Sequence, residues 1–295
     1  MTEKEYVIIT DSTCDLTPAL VEELDIVVIP MEFTMKDGEV YKNHPDGREL
    51  GFQEFYNRVR AGAQPKTNQI NASTYMEVAA PYLRAGKDVV ILAFSSALSG
   101  TYQSAVLAAE ELRQEYPGRK IFAVDTLSAS MGEGLLVYHA AKKREEGLSA
   151  PELVRWVEEN RLRVCHWFTV DDLNHLKRGG RVSSAAALFG TILGIKPVMH
   201  VDDAGRLIPR EKVRGRRQSL EALARHMEET IDPAEGEQVV FISHGDCAEE
   251  VQHLVDYIRA HVRVKEIQVG YIGPVIGAHS GPGTVALFYL GTTRS

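Results

Sequence analysis

The sequence is poor in cysteine, acidic residues outnumber basic ones, and there is no long apolar run. The three cysteines, Cys14, Cys165 and Cys247, are scattered without CxxC spacing. This pattern predicts neither a disulfide framework nor a zinc site, and it favours the reducing cytoplasm. The 33 Lys and Arg residues face 41 Asp and Glu residues, for a net charge of −8. Nucleic acid is not expected as a partner, because neutralising phosphates requires a basic surface.

Membrane insertion and secretion are not expected either. No segment approaches the roughly 20 consecutive apolar residues of a spanning helix. The charged start, residues 1–6, lacks the apolar core of a signal peptide. Any contact with a membrane is expected to be transient. No GxxxxGK(S/T) run occurs, so no nucleotide site is predicted.

The length of 295 residues is about twice that of a typical domain. Buried-strand patterns in the first half are each followed by a helical or polar segment, and they lie at residues 6–10, 26–29, 89–94 and 121–125. This βα repeat predicts a parallel-sheet α/β domain over residues 1–163.

The second half has a different pattern. Strand patterns at 198–201 and 207–213 flank a turn at 202–205. They predict a hairpin, and therefore an α/β domain with a mixed or antiparallel sheet over residues 164–295. A further hairpin is predicted over residues 31–41.

The most informative segment is the apolar run at residues 89–94, which ends in hydroxyl residues just before a helix. Ser95, Ser96, Ser99 and Thr101 follow the run. Free N–H groups and the positive dipole end of the helix would favour an anionic head group beside these hydroxyls. Helix capping alone is the simpler explanation of the hydroxyls, and both interpretations stay open.

Polar residues also follow neighbouring strand patterns. Asp11 and Ser12 come after the first strand, where turn formation and ligand contact are equally supported. The polar loop at 64–73 is a candidate second wall of the same site, or else simply solvated. Gly132 and Gly134 bracket a helix start and would allow close approach of another helix or of a ligand tail.

Later segments supply a cation and an imidazole. Arg181 lies beyond two glycines, where it can reach inward, whereas Lys177 and Arg178 fit ordinary helix termination. The nearly all-apolar helix predicted at 183–193 must be buried or line an apolar cavity. His279 lies among four Gly and two Pro residues in a predicted rigid loop at 272–284, which favours a ligand or proton role over core packing.

Taken together, five segments resemble the DegV family, whose characterised members are the fatty-acid-binding subunits of bacterial fatty acid kinase. They are TDST at 10–13, SSALSGTY at 95–102, SASMGEG at 128–134, LKRGGRVS at 176–183 and GPVIGAHSGPG at 273–283. The resemblance covers nearly the whole chain. It implies a two-domain DegV-like α/β fold with a long-chain fatty acid in the interdomain cleft.

The resemblance also implies site residues. The fatty-acid carboxylate is expected to be bound by Thr67, Ser95, Ser96, Arg181 and His279. The cleft and the acyl tail are expected to be lined by Asp11, Ser12, Ser130, Met131, Gly132, Ala186, Phe189, Ile276 and Gly277.

One departure concerns the wall at Thr67. The family often has Thr-Ser-Gln-Pro-Ser where this chain has TNQIN at 67–71, so Ile70 and Asn71 replace Pro and the second Ser. The shape of this wall, and with it selectivity for head group or chain, is therefore not implied by the resemblance.

The implied function is that of a carrier without cofactor or metal. It would present the carboxylate to the ATP-binding subunit of a fatty acid kinase, which forms an acyl phosphate for phospholipid synthesis. One alternative is a free-standing acyl or phosphoryl hydrolase or transferase, with Ser96 as nucleophile and His279 as base, although no GxSxG elbow accompanies them. A second alternative is a lipid-sensing interaction protein.

Overall fold

The computed structural model describes residues 5–36, 38–183 and 194–294. The strands, β1 to β13 in chain order, are Tyr6–Asp11, Val27–Ile29, Glu32–Thr34, Val40–Lys42, Lys66–Thr67, Asp88–Ala93, Ile121–Asp125, Val164–Thr169, Ile195–Val201, Leu207–Arg214, Gln238–His244, Val264–Tyr271 and Val285–Leu290. The helices, α1 to α10, are Pro18–Leu24, Phe52–Arg60, Ala72–Arg84, Thr101–Glu115, Met131–Glu145, Ala150–Asn160, Asn174–Arg178, Arg216–Thr230, Ala248–His261 and Pro274–Ser280.

The first sheet has the order β2-β1-β6-β7, and all its pairs are parallel. It is buried on both faces. Ile8 and Val90 pack in one core cluster with α5 and α6, and Ile9 and Val89 pack in another with α3 and α4. Coverage of both faces explains why these strands are continuously apolar rather than alternating. The predicted parallel α/β arrangement is confirmed.

The second sheet has the order β10-β9-β8-β13-β11-β12 and is mixed. Only β11 and β12 pair in parallel, and the predicted hairpin is present as the antiparallel pair β9–β10. Helices α8 and α9 share a core cluster with the strands on one side of this sheet. The predicted mixed sheet is therefore confirmed.

Helix α5 packs against both sheets. Its residues Leu135 and Val137 belong to one core cluster that contains Val90 of the first sheet and Phe288 of the second. The apolar interior is thus continuous across position 163, and the division into domains at that position stays a prediction. In the described part of the chain, no helix combines the length and the apolar character that crossing a membrane requires.

Two segments differ from the sequence-based expectation. The hairpin at 31–41 is confirmed as β3–β4, but a third strand, β5, joins it within the segment expected to be a loop. The segment expected to be a rigid loop contains helix α10, so that prediction is wrong. Pro274 takes the first helical position, which suits its fixed φ. Gly277 lets the helix pack closely, since a Cβ there would lie 2.5 Å from Tyr56 Oη.

Candidate ligand-binding site

A large cavity, here called the inner cavity, is lined by residues from both sides of position 163. It contains about 980 Å³ of space, its open mouth included. Most of its wall is apolar and is formed by Met31, Phe94, Leu98, Ala129, Phe168, Leu176, Val201, Leu207, Ile272, Val275, Ile276, Ala286 and Phe288. This wall favours a ligand with a long apolar part.

A smaller set of polar residues interrupts this apolar wall, and none of them is acidic. They are Thr67, Gln69, Ser99, Ser130, His166, Arg181, His279, Ser280 and Thr284. An anionic group in the cavity therefore meets no like charge in the described wall. Across residues 5–36, 38–183 and 194–294, no cluster of three His, Cys, Asp or Glu residues could hold a metal ion.

The central polar contact joins Thr67 on β5 to His279 on α10. Thr67 Oγ1 and His279 Nε2 are 2.9 Å apart. His279 Nδ1 is buried without a hydrogen-bond partner among the described residues. A buried N–H without an acceptor costs more than a buried lone pair without a donor. We therefore assign the proton to Nε2, which donates to Thr67 Oγ1 and leaves the Thr67 O–H free to donate to a ligand.

The charge at this end of the inner cavity is carried by Arg181. Its Nε and Nη2 donate to Leu98 O at 3.2 and 3.1 Å, and its Nη1 donates to Gly179 O. Burial, together with the nearby guanidinium, lowers the pKa of His279 to about 4. At neutral pH the imidazole is neutral and Arg181 is the cation.

A second depression, here called the outer cavity, adjoins this end. It is lined by Ala63, Gln64, Pro65, Lys66, Thr67, His175, Arg178, Gly179, Arg181, Ala278 and His279. Thr67, Arg181 and His279 line both cavities. These three residues, which the resemblance assigned to the carboxylate, therefore form the boundary between an apolar cavity and a polar one.

The other two residues assigned to the carboxylate lie outside the inner cavity wall. Ser95 is buried, and its Oγ donates to Gly205 O at 3.0 Å, so the side chain joins the hydroxyl loop to the β9–β10 turn. Ser96 is exposed, and its backbone N–H donates to Asp125 Oδ1 at 3.2 Å. The structure does not pair Ser96 with His279, whose described partner is Thr67. Carboxylate binding by Ser95 and Ser96 stays a prediction.

The residues expected along the tail are divided in the same way. Ser130 and Ile276 line the inner cavity. Those in the described chain that do not line it are Asp11, Ser12, Met131, Gly132 and Gly277. Ser12 instead lines a separate depression, together with Cys14 and Asp15. Ala186 and Phe189, with the predicted helix at 183–193, lie outside the described residues.

The sequence interpretation assigned no site role to His166, Ser280 or Thr284 of the wall. His166 is 1% exposed, and its Nδ1 contacts Val164 O at 2.9 Å, while its Nε2 has no partner in the described chain. The Ser280 hydroxyl is also buried and without a described partner. His166 lies inside a strand with no motif, so only the packing of β8 against α5 could identify it. Ser280 lies in the segment at 273–283, but the expected loop did not predict which way its side chain faces.

Gly132 supports the wall indirectly. A Cβ at this position would lie 2.2 Å from His166 Nε2 and 2.8 Å from Phe288 Cδ1. We expect Gly132→Ala to push both rings toward the inner cavity and to lower the free energy of unfolding by about 1–3 kcal/mol. Denaturant unfolding measures this. Gly118→Ala is the matched control, because its Cβ meets nothing within 4 Å. Equal stability of the two variants would contradict the predicted crowding.

A model of the family described as "Uncharacterised protein, DegV family" matches residues 5–292. Among similar sequences, a DegV domain-containing protein from Clostridium perfringens is 46% identical over 292 residues, covering 99% of each chain.

Solved structures agree with this assignment. A DegV family protein from Thermus thermophilus, described by its fatty acid binding, is 33% identical with a TM-score of 0.86, covering 97% of this chain and 99% of that one. A Thermotoga maritima protein, described as revealing a fatty acid binding function, is 31% identical with a TM-score of 0.85, covering 98% of this chain and 100% of that one. The family-model match over residues 5–292 and the 46% identity over 99% of the chain lead to one conclusion: this chain belongs to the DegV family.

Proposed function

We propose that this protein binds a long-chain fatty acid in the inner cavity and presents its carboxylate to a separate kinase. One observation carries the proposal. The apolar wall ends at Thr67, Arg181 and His279, which supply a free hydroxyl, a cation and a polarisable imidazole. The fatty acid binding described for the Thermus and Thermotoga relatives supports the same ligand class.

The acyl tail would provide the affinity. Burying one methylene contributes roughly 0.8 kcal/mol, so about 15 methylenes contribute on the order of 12 kcal/mol before ordering costs. The carboxylate opposes binding by several kcal/mol unless hydrogen bonds or a cation compensate. A wall that is apolar except at one end meets both requirements for a single-headed amphiphile.

The head group would accept a hydrogen bond from the Thr67 hydroxyl, with Arg181 nearby. His279 then has a second role, because a carboxylate close to it favours the imidazolium and raises its pKa. Binding should therefore be accompanied by proton uptake when the pH lies between the pKa values of free and loaded protein.

The kinase step is assigned to a partner, the ATP-binding subunit of a fatty acid kinase. The boundary position of Thr67 and His279 would leave the carboxylate facing the outer cavity, where a second protein can supply the phosphoryl donor. We place this exchange in the cytoplasm, because the three cysteines are free thiols and two of them are buried. Acyl phosphate for phospholipid synthesis would be the product.

The proposal is tested on delipidated full-length protein with palmitate. The delipidated wild-type protein should bind palmitate. In a separate measurement, native mass spectrometry of freshly purified protein should show a bound long-chain acid. Thr67→Val keeps the side-chain shape and removes the hydroxyl, so affinity should fall roughly 10-fold, the value of one hydrogen bond to a charged group. Thr292→Val, at an exposed position, is the matched control.

Two results would contradict the proposal. Wild-type protein that binds no palmitate would exclude the ligand class, and unchanged affinity in Thr67→Val would exclude the assigned head-group contact. Turnover of ester or phosphate substrates without any partner protein would favour the hydrolase alternative instead. Acyl phosphate formed only when a fatty acid kinase and ATP are added would support the carrier role.

A further inference from the structure

The outer cavity is a cationic depression on a chain of net negative charge. It contains about 870 Å³ of space, its open face included. Its charged lining residues are Lys66, Arg178 and Arg181, and no Asp or Glu is among the described residues that line it. The chain as a whole carries 41 acidic residues against 33 Lys and Arg. The local charge is therefore opposite in sign to that of the molecule.

These cations lack the carboxylate partners that some other basic side chains have. Arg58 pairs with Glu54 and Glu39, and Arg163 pairs with Asp232 and Glu235. Within the described ranges, no carboxylate lies within ion-pair distance of Lys66, Arg178 or Arg181. An anion in the depression would therefore be attracted by three cations that no carboxylate neutralises.

The basic side chains that line the outer cavity carry N–H donors. Arg178 Nη2 lies 3.0 Å from His175 Nδ1 and donates to it, so His175 is a neutral ring with its proton on Nε2. Arg181 is fixed by the carbonyls of Leu98 and Gly179. Lys66 is exposed on β5, next to Thr67, and is free to move onto a ligand. Fixed guanidinium groups with a mobile ammonium suit phosphate recognition.

The boundary between the two cavities determines where a phosphate on the ligand head group would lie. A ligand carboxylate at Thr67 and His279 has its tail in the inner cavity, so any group added to the carboxylate must extend into the outer cavity. In the kinase reaction, a carboxylate oxygen forms a bond to the γ-phosphorus of a nucleoside triphosphate, and the bond from that phosphorus to the β–γ bridging oxygen breaks. The diphosphate leaves with that electron pair, and the head group changes from one negative charge to two.

We propose that the outer cavity is a phosphate-binding site, formed by Lys66 and Arg178, that holds the phosphoryl group of an acyl phosphate while the acyl chain occupies the inner cavity. This inference rests on the proposed function. It separates the roles of the cations: Arg181 lies at the boundary and faces both groups, whereas Lys66 and Arg178 line only the outer cavity.

The test compares two ligands that differ only in the head group. Delipidated full-length protein is titrated with palmitate and with 2-oxoheptadecylphosphonate, a hydrolysis-resistant acyl phosphate mimic. Lys66→Ala and Arg178→Ala should each weaken phosphonate binding about 5- to 20-fold and change palmitate binding less than 2-fold. Lys177→Ala is the matched control, because it removes the same charge from the same helix at an exposed position outside both cavities.

Inorganic phosphate distinguishes a head-group phosphate from a free one. Competition by millimolar phosphate against the phosphonate but not against palmitate would support a separate phosphate site. Equal losses for both ligands in Lys66→Ala and Arg178→Ala would overturn the inference, because the cations would then act on the carboxylate. Wild-type binding of palmitate without binding of the phosphonate would also overturn it and leave the proposed function intact, whereas binding of neither ligand would refute both.

Discussion

Replacing Asp11 with Asn is expected to lower the free energy of unfolding by about 3 kcal/mol or more, although Asp11 lies outside the inner cavity wall. Asp11 is fully buried. Its Oδ1 accepts from the backbone N–H and the hydroxyl of Thr13, and its Oδ2 accepts from Phe94 N–H at 3.2 Å. An Asn amide group must place its own donor against one of these donors. The loss of charge-assisted hydrogen bonds and the buried donor left unpaired add to an effect of this size.

Glu133→Gln, in contrast, is expected to change the free energy of unfolding by less than about 1 kcal/mol. Glu133 Oε1 accepts from the Thr10 hydroxyl at 2.9 Å, and Glu133 Oε2 lies 2.8 Å from Thr13 Oγ1. The Thr13 hydroxyl has one proton, which it gives to Asp11 Oδ1. Glu133 must therefore donate in return, which requires its neutral form, and Gln reproduces that donor and acceptor.

The electrostatics agree with this division. Burial raises the pKa of both carboxyls, and hydrogen bonds oppose that rise at Asp11 and at Glu133. At Glu133 the charge of Asp11 adds to the effect of burial, so the pKa of Glu133 is raised well above its usual range. Urea unfolding at pH 7 of ligand-free protein measures both variants. Asp203→Asn, at an exposed site, is the control and should stay within about 0.5 kcal/mol of wild type. Equal destabilisation by Glu133→Gln and Asp11→Asn would show that both carboxyls are ionised.

Asp11 also shows how far the sequence could be interpreted. Turn formation and ligand contact were equally supported there, and the structure has Asp11 as the N-terminal cap of the turn at 12–14. The strand and helix pattern was predictable because apolar periodicity reflects burial on one or both faces of each element. The roles of polar residues at strand ends were not predictable, because capping and ligand binding use the same residue types.

The candidate site also contains residues that the sequence could indicate and residues that it could not. Local patterns indicated Arg181 and His279, the family resemblance added Thr67, and the structure brings the three to one boundary. Ser95 turns away because its hydroxyl meets Gly205, 110 positions along the chain, a contact that no local pattern encodes. The hydroxyl loop still contributes to the inner cavity, but through Ser99 rather than through Ser96.

Asp15→Asn is expected to stabilise the protein above about pH 4, with a gain that grows until about pH 8. Asp15 Oδ2 lies 2.6 Å from Ser130 Oγ, and Asp15 Oδ1 accepts from Gly273 N–H at 2.9 Å. Burial raises the pKa of Asp15 to about 8. Asn can donate to Ser130 and accept from Gly273, as the protonated acid does. It also suits the left-handed backbone of position 15, where φ is 49°.

The sign of the pH dependence follows from the proton count. An unfolded Asp15 has the ordinary pKa of 3.8, so between about pH 4 and pH 8 the folded chain holds one more proton than the unfolded chain. The contribution of Asp15 to stability is therefore present at pH 4, declines as the pH rises, and levels off above about 8. Asn does not titrate. The variant should match wild type near pH 4 and exceed it by about 2–3 kcal/mol at pH 8–9, a value reduced for the partial exposure of this residue.

Urea unfolding of both proteins from pH 4 to pH 9 measures this difference, with Asp203→Asn as control. Buried histidines titrate in the opposite sense, since His139, His200 and His279 have pKa values lowered to about 4 by burial. They are common to both proteins and cancel in the difference. A pH-independent difference would show that folded Asp15 is ionised. The result also bears on the ligand site, because Ser130 lines the inner cavity. A protonated Asp15 donates to Ser130 Oγ. The Ser130 hydroxyl proton then points toward Ser243 Oγ, which lies 2.9 Å from Ser130 Oγ.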